Sequence, residues 1–99
     1  MKHLLEQLDA TKLDNRIRLG IMSMLMVNDW VDFNAFKEML GLSDGNLASH
    51  LKVLEQSGYV EIRKQFVGRK PLTQYTATIS GRNAFNDHLA ALEALLKKQ

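Results

Sequence analysis

The hydrophobic period of the chain changes in its second half, and this change restricts the fold more than any other feature. Across residues 17–56, apolar side chains recur every three or four positions, as in amphipathic α-helices. Gly58 ends this pattern, and the period then becomes two. Val60, Ile62 and Phe66 alternate with charged or polar residues. The helical period returns near the C-terminus, so the sequence predicts helices on both sides of a β-hairpin.

Helix caps and breakers place the boundaries within one domain of 99 residues, 1–99. Asp14 or Asn15 would cap one helix, and Ser43 another. Ser80 would cap the last helix, and Pro71 is expected to stop strand pairing in the hairpin. The expected order is a short helix near the N-terminus, a helix to residue 27, a short strand at 31–33, helices over 34–40 and 44–57, a hairpin over 60–79, and a last helix.

The residue inventory excludes several function classes. There is no cysteine, which removes disulfides and thiolate metal sites and fits a cytoplasmic protein. No apolar run is long enough to span a membrane, and the N-terminus does not resemble a signal peptide. Asp87, His88 and Glu93 lack the spacing of a helical metal site, and no catalytic motif is present. We therefore expect no enzyme activity, no metal and no cofactor.

The helix predicted over residues 44–57 has an unusual polar side. A leucine stripe at 47, 51 and 54 would anchor it to a core. Its first two turns carry small or neutral side chains where Glu and Lys are usual. Short donors and acceptors of this kind fit the major groove of DNA, where they can reach base edges. The candidate DNA-binding residues here are Ser43, Asp44, Asn46, Ser49, His50 and Lys52.

Some of these residues also have simpler interpretations. Ser43 fits a helix cap, Asp44 fits the first helical turn, and His50 fits a solvated surface. Asn46, at the third helical position, fits support of the cap. The DNA-binding interpretation of this helix therefore rests on the set of residues as a whole.

Basic charge is concentrated in residues 58–82, which contain five Lys or Arg and one Glu, a net charge of +4. Clustering of this kind is typical of a surface that binds nucleic acid. A loop held by two strands could reach phosphates without disturbing the core. The candidate contacts are Arg63, Lys64, Arg69 and Lys70, and the alternative is a solvated basic hairpin.

The order of elements and three segments resemble the MarR/ArsR-type winged-helix transcriptional regulators, in particular small members without cysteine. The segments are LDNRIRLGIMSML at 13–25, VDFNAFKEMLGLSDGNLASHLKVLEQSGYVE at 31–61 and TATISGRNAF at 76–85. The resemblance implies a mainly α winged helix-turn-helix fold with a β-hairpin wing, in the α+β class. It also implies that helix 44–57 enters the major groove and that wing residues 64–72 contact phosphates or the minor groove.

Members of that family act mostly as homodimeric repressors on pseudo-palindromic operators, so double-stranded DNA and a second copy are the implied partners. Two apolar stripes on the last helix and leucines near the N-terminus indicate dimerisation helices at residues 1–10 and 81–98. The alternative is that both stripes pack within the monomer. The candidate dimer residues are Leu4, Leu5, Leu8, Phe85, His88, Leu89, Leu92, Leu95 and Leu96.

Two questions stay open at the level of sequence. The winged helix could serve as a protein-interaction module without DNA binding, because fold does not fix function. The small polar helix face and the basic hairpin favour DNA, since interaction modules more often present aromatic or apolar residues. A small-molecule effector is compatible with the sequence, but no residue identifies one. Met22, Met24 and Met26 are better explained as core residues than as a ligand pocket.

Overall fold

The computed structural model describes residues 5–6 and 11–97 of the chain. Between residues 11 and 97, four helices and three strands confirm the predicted α+β class with a hairpin wing. In chain order they are α1 (Arg16–Met26), β1 (Val31–Asp32), α2 (Phe33–Leu40), α3 (Asp44–Gln56), β2 (Val60–Val67), β3 (Lys70–Ala77) and α4 (Ile79–Lys97). We call the β2–β3 hairpin, residues 60–77, the wing.

Side-chain caps begin the first three of these helices. Asn15 accepts from two backbone N–H groups at the start of α1, and Ser43 accepts from one at the start of α3, as the sequence predicts. Asp32 accepts from the Ala35 N–H at 2.8 Å, so α2 begins at Phe33, one residue before the predicted start. Each such cap stabilises its helix by about 1 kcal/mol.

The last helix begins differently from the prediction, because Thr78 caps it and Ser80 does not. The Gly81 N–H donates to Thr78 Oγ1 at 2.9 Å, and α4 begins at Ile79. The same hydroxyl donates to the Gly58 carbonyl at 2.6 Å. Thr78 therefore begins α4 and also joins it to the loop that follows α3, whereas Ser80 already lies inside the first turn.

The three strands form one antiparallel sheet in the order β1-β3-β2. The wing pairs continuously from Val60↔Ala77 to Val67↔Lys70, and Phe66 lies opposite Pro71. The expectation that Pro71 stops the pairing is therefore wrong. In an antiparallel ladder, hydrogen-bonded pairs alternate with pairs that have no hydrogen bonds between them. Val67 and Lys70 are the hydrogen-bonded pair that closes the two-residue turn, so the next pair, Phe66 and Pro71, is of the other kind. The missing N–H of the proline thus leaves the ladder intact.

The hydrophobic core lies between α1, α2, α3 and the base of the sheet. The leucine stripe of α3 is buried, with each side chain no more than 2% exposed. Phe36 packs edge-to-face on Tyr75, with ring centroids 6.0 Å apart, and this contact joins α2 to β3. Met22 is fully buried, while Met24 and Met26 pack at the edge of the core. Helix α3 is thus anchored to the core by its inner side.

The side of α4 that packs on its own domain consists of Gly81, Ala84, His88 and Ala91, all buried. His88 is 3% exposed, and its Nδ1 lies 3.2 Å from Thr11 Oγ1. The sequence predicts His88 among the dimer residues, and its burial inside its own domain corrects that prediction. Small neighbours on this side let α4 approach closely, and the imidazole then fills the space beside the threonine.

The other apolar stripe of α4 faces outward. Leu89 and Leu96 are 41% and 72% exposed, and Phe85 and Leu92 of the same stripe are partly buried. Leu95 is also partly buried, but it lies on the packed side with His88 and Ala91. Of the N-terminal candidates, Leu5 is exposed, and Leu4 and Leu8 lie outside the described residues. Within the part of the chain that the structure describes, no helix is long and apolar enough to cross a membrane.

Candidate nucleic-acid interface

The outward side of α3 is built from small residues. With its leucines turned into the core, the helix exposes Gly45, Ser49 and Lys52 on the opposite side, together with Asn46 and Ala48. No large side chain covers the first two turns there. The helix backbone can therefore approach a partner closely. The hydroxyl group of Ser49 and the amide group of Asn46 are both on exposed residues.

Asp44 points to the flank of α3 next to α2. Its Oδ1 is 2.7 Å from Lys37 Nζ, and both side chains are well exposed, at 72% and 43%. Exposed pairs of this kind stabilise the fold only weakly. The pair neutralises an acidic group at the start of α3, where a bare carboxylate would repel phosphates. Ser43 is exposed, and its Oγ accepts from the Asn46 N–H at 3.3 Å.

His50 lies on the other flank of α3, beside α1. Its Nδ1 is 3.1 Å from Arg18 Nη1. Partial burial lowers the pKa of His50 below its ordinary value, and the positive charge of Arg18 lowers it further. His50 is therefore a neutral group at physiological pH, and its surroundings include a cation from another helix.

The tip of the wing is a two-residue turn, Gly68 and Arg69, and the basic residues at and near it are exposed. Gly68 has φ of 65°, which a two-residue hairpin turn requires and glycine adopts without strain. Arg69, Lys70 and Lys64 are exposed, and within residues 11–97 none of them forms an ion pair with a carboxylate. These cations are free to contact phosphates.

Arg63 is held at the base of the wing and does not project freely. Its Nε and Nη2 both donate to Gln74 Oε1, at 3.2 and 2.7 Å. Its guanidinium lies 3.9 Å from the centroid of the Trp30 ring, a cation–π contact. Gln65 donates to the same Gln74 oxygen. Arg63 thus joins the two wing strands to the loop that precedes β1.

The wing tip also carries apolar side chains that the charge pattern did not reveal. Phe66 and Val67 are 74% and 63% exposed. They lie directly beside the turn, on opposite faces of β2 because successive strand residues alternate. The tip therefore offers both cations and apolar surface to a partner.

Sequence reasoning missed three residues that support this surface, Arg18, Trp30 and Gln74. Gln74 was within reach of prediction, because a two-residue turn at Gly68 fixes the register that puts it opposite Arg63. Arg18 and Trp30 act through contacts between distant parts of the chain, for which a single sequence carries no local signal. Within the described residues, no group of three or more His, Asp or Glu side chains is placed to hold a metal ion.

A helix-turn-helix followed by a basic hairpin defines the class of winged helix DNA-binding proteins. The sequence profile of the family described as winged helix DNA-binding domain matches residues 17–96, and the chain belongs to this family. The resemblance to winged helix-turn-helix regulators is thereby confirmed at the level of the family. Membership in a family of DNA-binding domains also confirms the expectation that the chain is not an enzyme.

Individual relatives agree with this assignment. An uncharacterised protein from Methanocaldococcus jannaschii is 37% identical over 81 residues, which is 82% of this chain and 88% of that protein. The structure of a transcriptional regulator homologue from Pyrococcus horikoshii is 33% identical, covers 99% of this chain and 97% of its own, and has a TM-score of 0.87. Bacillus subtilis PadR in complex with operator DNA shares the fold, with 23% identity over 76% of this chain and 48% of its own, and a TM-score of 0.65.

Proposed function

We propose that the chain is a sequence-specific transcriptional regulator of the MarR/ArsR type that binds double-stranded DNA as a homodimer and acts as a repressor. The observation that carries this proposal is the small polar outward side of α3 next to a basic wing, in a member of a DNA-binding family. A dimer seated on a pseudo-palindromic operator would repress by occupying promoter DNA. The operator complex of PadR, a protein of the same fold, supports DNA as the partner.

Helix α3 would act as the recognition helix and read bases through its short side chains. A major groove about 12 Å wide accepts an α-helix whose outward side chains are small. Asn46 has the amide needed for a bidentate contact with adenine, and Ser49 can donate or accept. Lys52 is longer and suits a phosphate, and Gly45 would let the start of α3 approach the DNA backbone.

The wing would supply affinity and orientation. Arg69 and Lys70 at the tip, with Lys64 beside them, present unpaired cations to the phosphates that flank the groove. Such contacts release counterions, so they strengthen binding at low salt and carry no sequence information themselves. In this proposal Arg63 sets the direction of the wing from its base.

Dimerisation would use the outward stripe of α4. Leu89 and Leu96 are exposed there next to Phe85 and Leu92, which leaves apolar surface for a second copy. A two-fold axis through this helix would present two copies of α3 to the same side of a duplex. Recognition helices one DNA turn apart, about 34 Å, would match two half-sites.

Fluorescence anisotropy on random-sequence duplex DNA across a salt series tests the proposal. We expect wild type to bind with micromolar or tighter affinity, and the double variant Arg69→Ala/Lys70→Ala to reduce the slope of log K against log salt by about 2. Lys97→Ala, in the last turn of α4, removes a charge outside the proposed surface and should leave the slope unchanged. Selection from a random duplex library should then yield a pseudo-palindromic site.

A protein-interaction module is the second candidate, and the exposed Phe66 and Val67 at the wing tip favour it. Apolar side chains of this size at a loop tip are common in protein interfaces. The two candidates separate in the same titration. Absence of DNA binding at low salt by a folded protein would reject the regulator and promote the interaction module.

A further inference from the structure

The side chain of Arg18 joins the start of α1 to α3. Arg18 Nη1 lies 3.1 Å from His50 Nδ1, and Arg18 Nε donates to the Lys12 carbonyl at 2.8 Å. Lys12 itself has a left-handed φ of 60°, so a tight turn precedes the helix. Two hydrogen bonds therefore fix the guanidinium plane, and neither bond uses Nη2. A planar donor group with free N–H bonds is thus held beside α3.

The contact also determines which tautomer His50 adopts. A guanidinium has only donors, so His50 Nδ1 must accept the hydrogen bond and carries no proton. The ring proton then lies on Nε2, on the opposite edge of the imidazole. A protonated ring would put an N–H against the guanidinium, which agrees with the lowered pKa of His50. His50 therefore presents a single donor to its surroundings and no acceptor.

The charge around this pair is positive. Lys12 and Arg16 are exposed and lie within six residues of Arg18 along the chain. With Asp14 included, residues 12–18 carry a net charge of +2. Among the described residues, none of these three cations forms an ion pair with a carboxylate. The segment that carries Arg18 thus has unneutralised positive charge.

The position of His50 on the helix indicates what these donors would meet. At 100° per residue, His50 lies roughly 60° from the leucine stripe, on the flank of α3 and away from the outward side that carries Ser49. A helix in the major groove turns its outward side to the base edges and its flanks to the sugar-phosphate backbone. His50 is partly buried with Nδ1 facing Arg18 of α1, so its Nε2 donor lies on the ring edge away from that contact.

We propose that Arg18 and His50 form a second phosphate-binding site, in which Arg18 Nη2 and His50 Nε2 donate to neighbouring phosphates of the DNA backbone, on a segment whose net charge is positive. This inference rests on the proposed DNA-binding function and adds a contact distinct from the wing. Two phosphate sites on different elements fix the rotation of α3 in the groove better than one. Arg18 has a double role, because it binds the phosphate and orients His50.

The test uses the intact protein and two DNA probes, a random-sequence duplex and a duplex selected by wild type. Arg18→Ala should weaken binding to both by about tenfold and reduce the salt slope by about 0.9, since one charged phosphate contact is lost. His50→Ala should weaken both by about threefold to tenfold with the slope unchanged, because the ring is neutral. The double variant should bind nearly as Arg18→Ala does, because His50 acts through the orientation that Arg18 gives it.

Replacement of single phosphates by methylphosphonates in the selected duplex locates the contact. Wild type should lose affinity at one phosphate per half-site where Arg18→Ala loses no more. Thermal unfolding shows whether each variant is folded. If Arg18→Ala is unstable, Arg18→Lys serves instead: it keeps the slope but loses the fixed donor plane, so His50→Ala should cause little further loss in that background.

Two results would overturn the phosphate site. One is a folded Arg18→Ala protein with unchanged slope and affinity. The other is a change of the preferred base at any operator position in His50→Ala, which would assign His50 to base reading. Failure of the site and failure of the DNA-binding function are distinguishable. In the first case wild type still binds and the variant at Arg69 and Lys70 still loses slope, whereas in the second wild type does not bind DNA at all.

Discussion

At the scale of single residues, one glycine allows the last helix to meet the loop that follows α3. A Cβ at Gly81 would lie 2.2 Å from the Tyr59 carbonyl oxygen, which belongs to the backbone of the loop after α3. The Thr78 N–H donates to that same oxygen at 3.0 Å, so the carbonyl has little freedom to move. Only glycine fits this contact without a shift of the backbone.

Gly81→Ala is therefore expected to destabilise the fold by about 1–3 kcal/mol, because the added methyl group forces α4 and the loop apart. In a domain of this size the midpoint of thermal unfolding should fall by roughly 4 °C or more. Gly45→Ala is the matched control, since its Cβ would meet nothing within 4 Å. It should stabilise the helix by a few tenths to about 1 kcal/mol. Equal melting temperatures for the two variants would contradict the assigned role of Gly81.

At the scale of elements, the wing is oriented by its base. Arg63 stacks on Trp30 and bonds Gln74, while Thr76 Oγ1 donates to the Asp29 carbonyl at 2.5 Å. The contact of Arg63 with Trp30 and the bond of Thr76 to Asp29 join the wing to the loop between α1 and β1. The tip, by contrast, is exposed at Phe66, Val67, Arg69 and Lys70. The wing thus behaves as a stiff arm whose direction is fixed near the core and whose end is available for contacts.

Arg63→Lys keeps the positive charge but loses the planar stack and the paired bonds to Gln74. Cation–π contacts and hydrogen bonds of this kind each stabilise by about 1 kcal/mol, so amide exchange in β2 should become about fivefold faster or more. Trp30 is the one tryptophan in the sequence, and its emission should change as the cation leaves the ring. Arg69→Lys at the tip is the control and should alter neither signal. Unchanged Trp30 emission in Arg63→Lys would show that the stack is not maintained in solution.

At the scale of the whole molecule, the outward stripe of α4 decides the proposed assembly. Leu89→Glu/Leu96→Glu puts charges where a second copy would pack, so a wild-type dimer should become a folded monomer in analytical ultracentrifugation. Val27→Glu changes another residue that is 80% exposed, outside the stripe, and should leave the dimer intact. The monomer should also lose at least about a hundredfold in affinity for the selected operator, because the two half-sites are no longer bound together. A monomeric wild type would reject the dimer.

Local signals predicted most of the fold, and long-range contacts account for what they missed. Periodicity located the helices and the wing, and the Asn15 and Ser43 caps act within three residues, so sequence alone could place them. The cap at Thr78 was missed because the choice between it and Ser80 depends on its bond to the distant Gly58 carbonyl. The orientation of α4 was left open by the sequence for a similar reason, because the rest of the domain determines which stripe is buried.

The same reasoning applies to the candidate site. The basic wing and the small side of α3 are visible as composition and spacing. The partner of His50 comes from 32 residues away. Helix periodicity puts His50 on a flank, but only the packing of α1 against α3 brings a guanidinium to it. The roles of neighbouring residues on one element were therefore predictable, and pairings between elements were not.

The close contact of Gly81 with the Tyr59 carbonyl has a mechanical consequence. Because α4 meets the backbone of the loop that follows α3 there, the proposed dimer helix is packed closely against the segment that leads out of the proposed recognition helix. In a dimer built on α4, a change in the angle between the two last helices would therefore alter the distance between the two proposed recognition helices. A signal could then switch such a protein off from the dimer axis alone, by spoiling the match to one turn of DNA without deforming either domain.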